Sequence, residues 1–325
     1  MHADTDAGLL GLLCDGNFHS GTALGRSLKI SRSAVWKRVR SLEKSGIEVY
    51  AVPGKGYRLA EPIELLDSAA ILAPMNDKAR RLLGGLDILT EIDSTNLYLL
   101  RKANEGALNS YSCLAEQQHA GRGRRGRVWV SPFGANIYLS LLWRFAEQTP
   151  ALSGLSLAIG IAVAKSLESL GITGIGVKWP NDLLWQGRKL AGVLLDMAGE
   201  AAGPCLVVAG IGVNVAMPAA AAISQPWVDL RTIVGHNIAR NALAGTILQQ
   251  LLLTFQQFQR DGLAPFLAEW NRLDLLKDKD VTVQLADRVI SGRAQGVNPQ
   301  GALLVAHGGV TRAYHSGEVS VRGTE

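Results

Sequence analysis

Four guanidinium groups and three glycines alternate within seven residues, and this loop carries the most distinctive chemistry of the sequence. It reads Gly121-Arg122-Gly123-Arg124-Arg125-Gly126-Arg127, between an apolar run that ends at Leu114-Ala115 and another that begins at Ile137. Like charges this close repel one another, so we expect the loop to be mobile until an anion binds. Guanidinium groups match phosphate and carboxylate oxygens in pairs, and glycine lets backbone N–H groups approach them. The sequence therefore predicts a loop that orders around an anionic ligand.

Four other interpretations of this loop are a dinucleotide site, a Walker loop, an RGG-like tract and a solvated basic loop. Its letters fit the dinucleotide pattern G-x-G-x-x-G, but that pattern opens a helix, and here Val128-Trp129-Val130-Ser131-Pro132 follows. The Lys-Ser/Thr pair of a Walker loop does not follow the glycines either. RGG-like nucleic-acid tracts are long and repeated, whereas this segment lies inside a hydrophobic region. A solvated basic loop stays open as the plain alternative.

A second group of candidate residues surrounds a predicted hairpin. Lys178-Trp179-Pro180-Asn181-Asp182 leads into an apolar strand, a turn at Gln186-Gly187 and a returning strand that contains Arg188-Lys-Leu-Ala-Gly192. Lysine and aspartate on a hairpin are usually solvated. Lys189, however, opens a nearly continuous apolar strand, where an ammonium group needs an anion.

Two further segments have backbone features that suit a ligand. Asp93-Ser94-Thr95-Asn96 precedes a helix, and exposed N–H groups at a helix start can hold a carboxylate, although capping alone would also explain these residues. The predicted strand from Cys205 to Val215 contains Gly210 and Gly212. Glycines inside a strand indicate close approach of a ligand or another backbone.

Bulk properties predict a folded protein of two or three domains. The chain has 325 residues, of which 47% are hydrophobic and 19% charged. Its three cysteines are widely spaced, which predicts a reducing compartment, and no secretory segment opens the chain, so we expect a cytoplasmic protein. The apolar stretch from Leu206 to Ile223 contains glycine, asparagine and proline and lacks flanking Lys/Arg. It predicts a buried strand followed by a loop, with no membrane partner.

The first 60 residues predict a winged helix-turn-helix. Helices are expected over 6–14, over Gly21–Leu28 after Ser20, and from Ser31 to Lys44, followed by a hairpin over 48–59. This region holds nine Lys/Arg against five Asp/Glu, a net charge of +4, which indicates an anionic partner. A helical bundle with a merely solvated basic face remains the alternative. The expected DNA contacts are Ser31, Arg32, Ser33, Lys37, Arg38 and Lys55.

The remaining segments predict an α+β fold. Residues 60–63 form a linker, and a helix from Asp67 is interrupted at Pro74. Further elements are expected as a strand over 86–92, helices over 153–170 and 241–260, and short strands from Val281 onward that suit a small β-barrel.

These motifs, in this order, resemble the bifunctional bacterial biotin protein ligases that also repress the biotin operon. The resemblance covers essentially the whole chain through Val52-Pro-Gly-Lys-Gly-Tyr57, Asp93-Ser-Thr-Asn96, Gly121-Arg-Gly-Arg-Arg-Gly126, Lys178-Trp-Pro-Asn-Asp182, Arg188-Lys-Leu-Ala-Gly192 and Gly210-Ile-Gly-Val-Asn214. It implies a winged helix-turn-helix domain over 1–63, a catalytic domain like that of biotin and lipoate ligases over 64–275, and an SH3-like β-barrel over 276–325.

The resemblance also implies a two-step reaction. Biotin's carboxylate attacks the α-phosphate of MgATP to give biotinyl-5′-AMP, and a lysine of the biotin carboxyl carrier protein of acetyl-CoA carboxylase then takes the biotinyl group. The adenylate would also act as corepressor, promoting a homodimer that binds the biotin operator. Alternatives are a biotin-sensing transcription factor without ligase turnover, and a ligase for lipoate or octanoate.

Individual roles follow from the same resemblance. Arg124, Lys189 and Asp182 would be catalytic, with Asp182 as the Mg²⁺ ligand because hard cations prefer carboxylate oxygen. Val128 and Val130 depart from the family pattern, which leaves the packing beside the adenine open. Biotin would contact Ser94, Thr95, Asn96, Gln118, Arg122, Gly123, Arg124 and Lys189. The nucleotide would contact Arg122, Arg125, Trp129, Lys178, Asn181, Gly210, Gly212 and Asn214.

Overall fold

A computed structural model describes residues 3–44, 46–145, 152–199, 205–218, 221, 223–285, 289–315 and 320–323. Its helices and strands fall into three groups along the chain. The first group is α1 (Ala3–Leu13), α2 (Gly21–Leu28), α3 (Arg32–Lys44), β1 (Val49–Val52) and β2 (Gly56–Leu59). The second is α4 (Ser68–Leu72), α5 (Asp77–Leu82), β3 (Gly85–Ile92), α6 (Thr95–Asn104), β4 (Tyr111–Gln118), β5 (Asn136–Phe145), α7 (Leu155–Glu168), β6 (Ile175–Lys178), β7 (Asp182–Trp185), β8 (Arg188–Gly199), β9 (Cys205–Asn214), α8 (Leu230–Val234), α9 (Arg240–Asp261) and α10 (Leu267–Leu273). The third is β10 (Asp280–Gln284), β11 (Val289–Val297), β12 (Leu303–His307), β13 (Val310–Tyr314) and β14 (Ser320–Gly323).

The N-terminal group is the winged helix-turn-helix that the sequence predicts. Ser20 Oγ accepts a hydrogen bond from the Ala23 N–H at the start of α2, and Ser31 Oγ accepts one from the Ala34 N–H in the first turn of α3. Both caps satisfy N–H groups that the helices leave without partners. The three helices and the β1–β2 hairpin enclose a core that also receives Phe133 from the segment after the arginine loop.

A seven-stranded mixed sheet organises the second group, in the order β3-β4-β5-β9-β8-β7-β6. The β3–β4 pair is parallel and the other described pairs are antiparallel. Side chains on β5 alternate between its two faces. Leu139 and Leu141 join the core beneath α7 and α9, whereas Leu142 packs on the other face with Leu99 of α6. Because both faces are covered, β5 is apolar from Ile137 to Trp143 except at Ser140, which lies on the α6 face.

Buried polar groups attach residues 64–66, which follow the linker, to the central sheet. The side chains of Arg240 and Glu116 are each 5% exposed, and Arg240 Nη2 lies 2.8 Å from Glu116 Oε2. The same guanidinium donates to the carbonyl oxygens of Glu64 and Asn136. Glu116 Oε1 also accepts a hydrogen bond from the Leu66 N–H. Residues 64–66 are therefore held by a hydrogen-bonded ion pair rather than by a flexible connection.

The third group forms one antiparallel sheet, in the order β13-β12-β11-β10-β14. It confirms the small all-β unit predicted from Val281 onward. Trp179 connects this unit to the central domain, because its indole Nε1 donates to Gly301 O at 3.0 Å and its side chain is buried. The C-terminal sheet thus packs against the Lys178–Asp182 motif.

Several local predictions are also confirmed. Gln186 and Gly187 both have positive φ, at 48° and 75°, as a two-residue hairpin turn requires. The arginine loop contains a short 3₁₀ turn over Arg124–Gly126, and the next element is β5, so no α-helix follows its glycines and the dinucleotide interpretation does not apply. The stretch beginning at Leu206 is strand β9 followed by a loop. Within the described ranges, no helix has both the length and the apolar character needed to cross a bilayer.

Candidate functional site

Three glycines on neighbouring strands make the floor of the site. Gly192 of β8 lies opposite Gly212 of β9, and Gly210 follows on the same face two residues away. A Cβ at Gly212 would come 2.4 Å from the Trp129 ring, and one at Gly210 would come 2.2 Å from Asn96 Oδ1. The sequence predicted that a ligand or a backbone approaches these glycines. The structure instead places two side chains of the site there, so the glycines let an indole and an amide lie flat on the sheet.

A ring of polar side chains crosses this floor; it begins at Ser131, which follows the arginine loop, and ends at Arg122 within the loop. Gln118 Oε1 accepts hydrogen bonds from the Thr95 N–H at 3.0 Å and the Thr95 hydroxyl at 3.2 Å, and Gln118 Nε2 donates to Ser131 Oγ. Ser140 Oγ lies 2.7 Å from Thr95 Oγ1 and 2.6 Å from Asn96 Oδ1.

The ring continues from Asn96 to the loop. Asn96 Nδ2 donates to Asp196 Oδ2 at 2.8 Å, and Arg122 Nη2 donates to the same oxygen at 2.6 Å. Every link uses a directional donor or acceptor. The site thus presents polar groups in a fixed arrangement, which suits a small polar ligand head.

Capping does not explain the Asp93–Asn96 segment. Ser94 occupies the N-cap position of α6 but its side chain makes no capping hydrogen bond, and the Thr95 N–H is satisfied by Gln118. Asp93 instead pairs with Arg101, whose hydrogen bond lowers the pKa of the Asp93 carboxyl. Ser94, Thr95 and Asn96 are at most 4% exposed. Thr95 and Asn96 hydrogen-bond to other polar residues of the site, whereas Ser94 is buried at the start of the helix.

The arginine loop is built by local backbone contacts. The Gly123 N–H donates to Arg127 O, and the Trp129 N–H donates to Gly121 O, which folds the loop back on itself. Arg125 has a φ of 57° and an exposed side chain. Arg124 turns inward, and its Nη1 donates to Asn181 Oδ1 at 3.2 Å. Burial, followed by the charge of Arg125, lowers the pKa of the Arg124 guanidinium from its ordinary value.

A cationic group faces the indole end of the site. Lys189 Nζ lies 2.7 Å from Asp182 Oδ1 and 5.4 Å from the centroid of the Trp129 ring. The anion that Lys189 was predicted to need is therefore Asp182 in the ligand-free protein. Asn181 Nδ2 donates to Val193 O at 2.6 Å, which fixes this amide to β8.

Two predicted nucleotide contacts have other neighbours in the structure. Asn214 is buried, and its Nδ2 donates to Lys189 O and Val228 O, so it holds the backbone that carries Lys189. Lys178 lies opposite Asp182 in the β6–β7 register. Val128 is 78% exposed, so its departure from the family pattern removes no buried contact.

The recognition helix presents a defined exposed face. Arg32, Ser33 and Lys37, all predicted to contact DNA, are exposed along one side of α3. Ser31 mainly caps the helix, and Lys55 lies at the hairpin tip, with Nζ 5.8 Å from the Phe18 ring. Arg38 is half-buried and shares its side of the helix with half-buried Ala34, so it is not part of this face.

Comparison with known proteins identifies the class to which this arrangement belongs. Residues 89–214 match the Biotin/lipoate A/B protein ligase family, residues 9–58 match an HTH domain, and residues 278–322 match the Biotin protein ligase C terminal domain. The fold is similar to that of the biotin protein ligase from Aquifex aeolicus in complex with biotin and ATP. That likeness has a TM-score of 0.66 and 26% identity, and covers 74% of this chain and 99% of the other.

Curated relatives narrow the class further. The chain is 42% identical over 319 residues to the bifunctional ligase/repressor BirA of Escherichia coli, covering 98% of this chain and 97% of the relative. It is 33% identical over 243 residues to the biotin–[acetyl-CoA-carboxylase] ligase of Mycobacterium tuberculosis, covering 72% of this chain and 88% of that one. The chain belongs to the bifunctional ligase/repressor family.

Sequence reasoning missed several residues of the site. Ser140 and Asp196 complete the polar ring, and both are polar residues within apolar strands, which is a signal that could have been used. Gly192 was quoted within a motif but was not assigned to the floor. Trp36 and Arg40 share the exposed face of α3.

Proposed function

We propose that this chain is an ATP-dependent biotin protein ligase that makes biotinyl-5′-AMP and also represses the biotin operon. The polar ring over the glycine floor, with a cationic group at its indole end, is the observation that supports this reading best. An uncharged polar ligand head fits the amide and hydroxyl groups of the polar ring. Anionic groups fit beside Arg122, Arg124 and Lys189. This division of the site suits a ligand with an uncharged polar head at one end and a carboxylate at the other.

The reaction we propose needs no enzyme nucleophile. A biotin carboxylate oxygen attacks the α-phosphorus of ATP, and the bond to the bridging oxygen breaks to release pyrophosphate. Both reactants are anions, so Arg124 and Lys189 would offset their repulsion and stabilise the charge that develops. In the second step a carrier lysine amine attacks the biotinyl carbonyl carbon, and AMP leaves. We propose the biotin carboxyl carrier protein of acetyl-CoA carboxylase as that carrier, because the Mycobacterium tuberculosis relative is named for that partner.

Asp182 is the side chain that fits a Mg²⁺ ion accompanying ATP. Its Oδ1 is buried and accepts no hydrogen bond of ordinary geometry, although Lys189 Nζ lies 2.7 Å away. Mg²⁺ commonly takes one or two protein carboxylates and completes its shell with phosphates and water. The ion would supply positive charge that offsets the negative charge of the phosphates.

Trp129 is the residue we assign to the adenine. Its indole lies on Gly212, and its Nε1 is buried and has no hydrogen-bond partner. Asn181, Lys178 and Arg122 would contact phosphates, and Asn214 would act indirectly by holding the Lys189 backbone. Arg125, being exposed, would serve the loop or a subunit contact.

Substitution of Lys189 tests the ligase assignment. We expect Lys189→Met to lower the rate of adenylate formation at least a hundredfold, because the variant loses the cation beside the transferring phosphate. Transfer from added biotinyl-5′-AMP to the carrier should fall less, since that step uses a preformed anhydride. Lys37→Ala, on the recognition helix, is the matched control and should leave both steps unchanged. Equal loss of both steps in Lys189→Met would contradict the assignment.

The repressor half of the proposal rests on the HTH domain and the family. We propose that the adenylate orders the arginine loop, that the ordered surface forms a homodimer, and that the dimer binds a palindromic operator. Sedimentation with biotin and MgATP should show a dimer that is absent without them. A dimerisation constant unchanged by these ligands would remove this mechanism. We propose that the DNA-binding domain ends at residue 63 and that the catalytic domain ends at residue 275.

A further inference from the structure

A tryptophan side chain on the recognition helix is about half exposed to solvent. Trp36 is 51% exposed, on the same side of α3 as Arg32, Ser33 and Lys37. Tryptophan side chains are highly buried on average, and tryptophan is enriched at interfaces because its ring is apolar and its N–H is polar. Arg32, Ser33 and Lys37 can form hydrogen bonds or ion pairs. Trp36 alone among these four offers a broad apolar surface.

Neighbouring side chains hold Trp36 in position. The Arg40 guanidinium lies 5.7 Å from the centroid of its ring, and Arg40 Nη1 lies 2.8 Å from Glu43 Oε2. Arg40 thus contacts both the Trp36 ring and Glu43. Its cation–π contact helps to orient the indole. Trp36 also lines a cleft of about 390 Å³ between α3 and the β1–β2 hairpin, together with Arg32 and Tyr57.

The positive charge around Trp36 indicates an anionic partner. Residues 1–60 carry a net charge of +4, and the exposed side chains on this face are cationic or neutral, which complements a nucleic-acid backbone. A recognition helix enters the major groove of DNA. The apolar group that base edges present in that groove is the C5 methyl of thymine.

We propose that Trp36 is a specificity-determining residue that reads thymine through its 5-methyl group. The proposal rests on the repressor function proposed above and names a contact of its DNA-binding surface. Arg32, Ser33 and Lys37 would supply the hydrogen bonds and phosphate contacts around it. Loss of one buried methyl corresponds to about a fourfold loss of affinity.

Uracil substitution tests this contact without changing base pairing. Duplexes that the wild-type protein binds would first be selected from a random library with biotin and MgATP present. Each thymine would then be replaced singly by deoxyuridine. We expect wild-type binding to fall about fourfold at one or two positions of each half-site. Trp36→Ala should bind the thymine and uracil duplexes equally, whereas Trp36→Phe should keep part of the preference.

Control variants separate this reading from its rivals. Lys37→Ala should weaken thymine and uracil duplexes by the same factor and reduce the salt dependence by about one phosphate contact. Trp36→Ala should retain wild-type ligase turnover, which shows that the chain is folded.

Three results would overturn the proposal. The first is equal binding of the wild-type protein to the thymine duplex and to every uracil duplex. The second is unchanged uracil discrimination by Trp36→Ala together with weaker binding of all duplexes, which would assign the indole to the sugar–phosphate strand. Selection that enriches no sequence would remove the repressor function itself, and the thymine contact with it.

Discussion

The buried ion pair behind the linker gives the sharpest stability prediction. Replacing Arg240 by alanine leaves Glu116, whose side chain is 5% exposed, without its guanidinium partner, and it also removes the donor to Glu64 O and Asn136 O. Breaking a buried pair by deleting one partner costs about 3–5 kcal/mol, because the remaining charge stays desolvated. That cost is a large part of the 5–15 kcal/mol by which a typical domain is stable.

Chemical unfolding measures this cost directly. The free energy of unfolding of Arg240→Ala should fall by about 3–5 kcal/mol in a guanidinium titration followed by circular dichroism. Arg231→Ala is the matched control, because Arg231 pairs with Glu61 of the same linker but the two side chains are 34% and 67% exposed. An exposed pair contributes at most about 1 kcal/mol.

A double variant separates loss of charge pairing from loss of packing. Glu116→Gln combined with Arg240→Met removes both charges and keeps comparable volume, so it should recover much of the lost stability. The reasoning is refuted if Arg240→Ala and Arg231→Ala destabilise the protein equally, or if the double variant is less stable than Arg240→Ala.

Three further predictions concern the site and the cysteines. Gly210→Ala should raise the KM for biotin and Gly212→Ala the KM for ATP, because the added methyl groups displace an amide and an indole respectively; steady-state kinetics showing the reverse would contradict the placement. Asp196→Ala should raise the KM for biotin about tenfold by releasing two donors of the polar ring, with Asp196→Asn less affected, and an unchanged KM would show that the ring does not hold biotin. Burial raises the pKa of the Cys14 thiol to about 12, so at pH 8 it stays protonated and iodoacetamide should label it only on unfolding; rapid labelling of the native protein, read by mass spectrometry, would contradict this.

Local sequence signals were enough to predict most elements. Ser20 and Ser31 cap the helices that their spacing indicated, and Gln186-Gly187 forms the expected turn. These predictions succeed because each depends on a few adjacent residues. The apolar run that begins at Ile137 was noted without a structural assignment; it forms β5, since a strand covered on both faces carries few polar residues.

Contacts between distant strands could not be predicted in the same way. Ser140 and Asp196 meet Asn96 only because β5, β9 and β8 are neighbours in the sheet, and that order is not written in any local pattern. The ion pair of Lys189 with Asp182 depends on the β7–β8 register, which includes an irregularity. The roles proposed for individual residues therefore stay predictions until variants are measured.

Helix faces were predicted less well than helix limits. Arg38 was expected among the DNA contacts, but it is half-buried, whereas Trp36 and Arg40, which were not among the expected contacts, are exposed beside Arg32 and Lys37. Residue type indicates a basic helix, but only the packing of α3 on α1 and α2 decides which side remains in solvent.

Pyrophosphate exchange into ATP tests the central claim most directly. The purified protein would be assayed with Mg²⁺ and biotin, lipoate or octanoate in turn, with Lys189→Met beside the wild type. We predict exchange with biotin alone, and its loss in the variant. Exchange with lipoate or octanoate instead would assign a different acyl substrate. Biotin binding without any exchange would contradict the ligase and leave a biotin-sensing transcription factor.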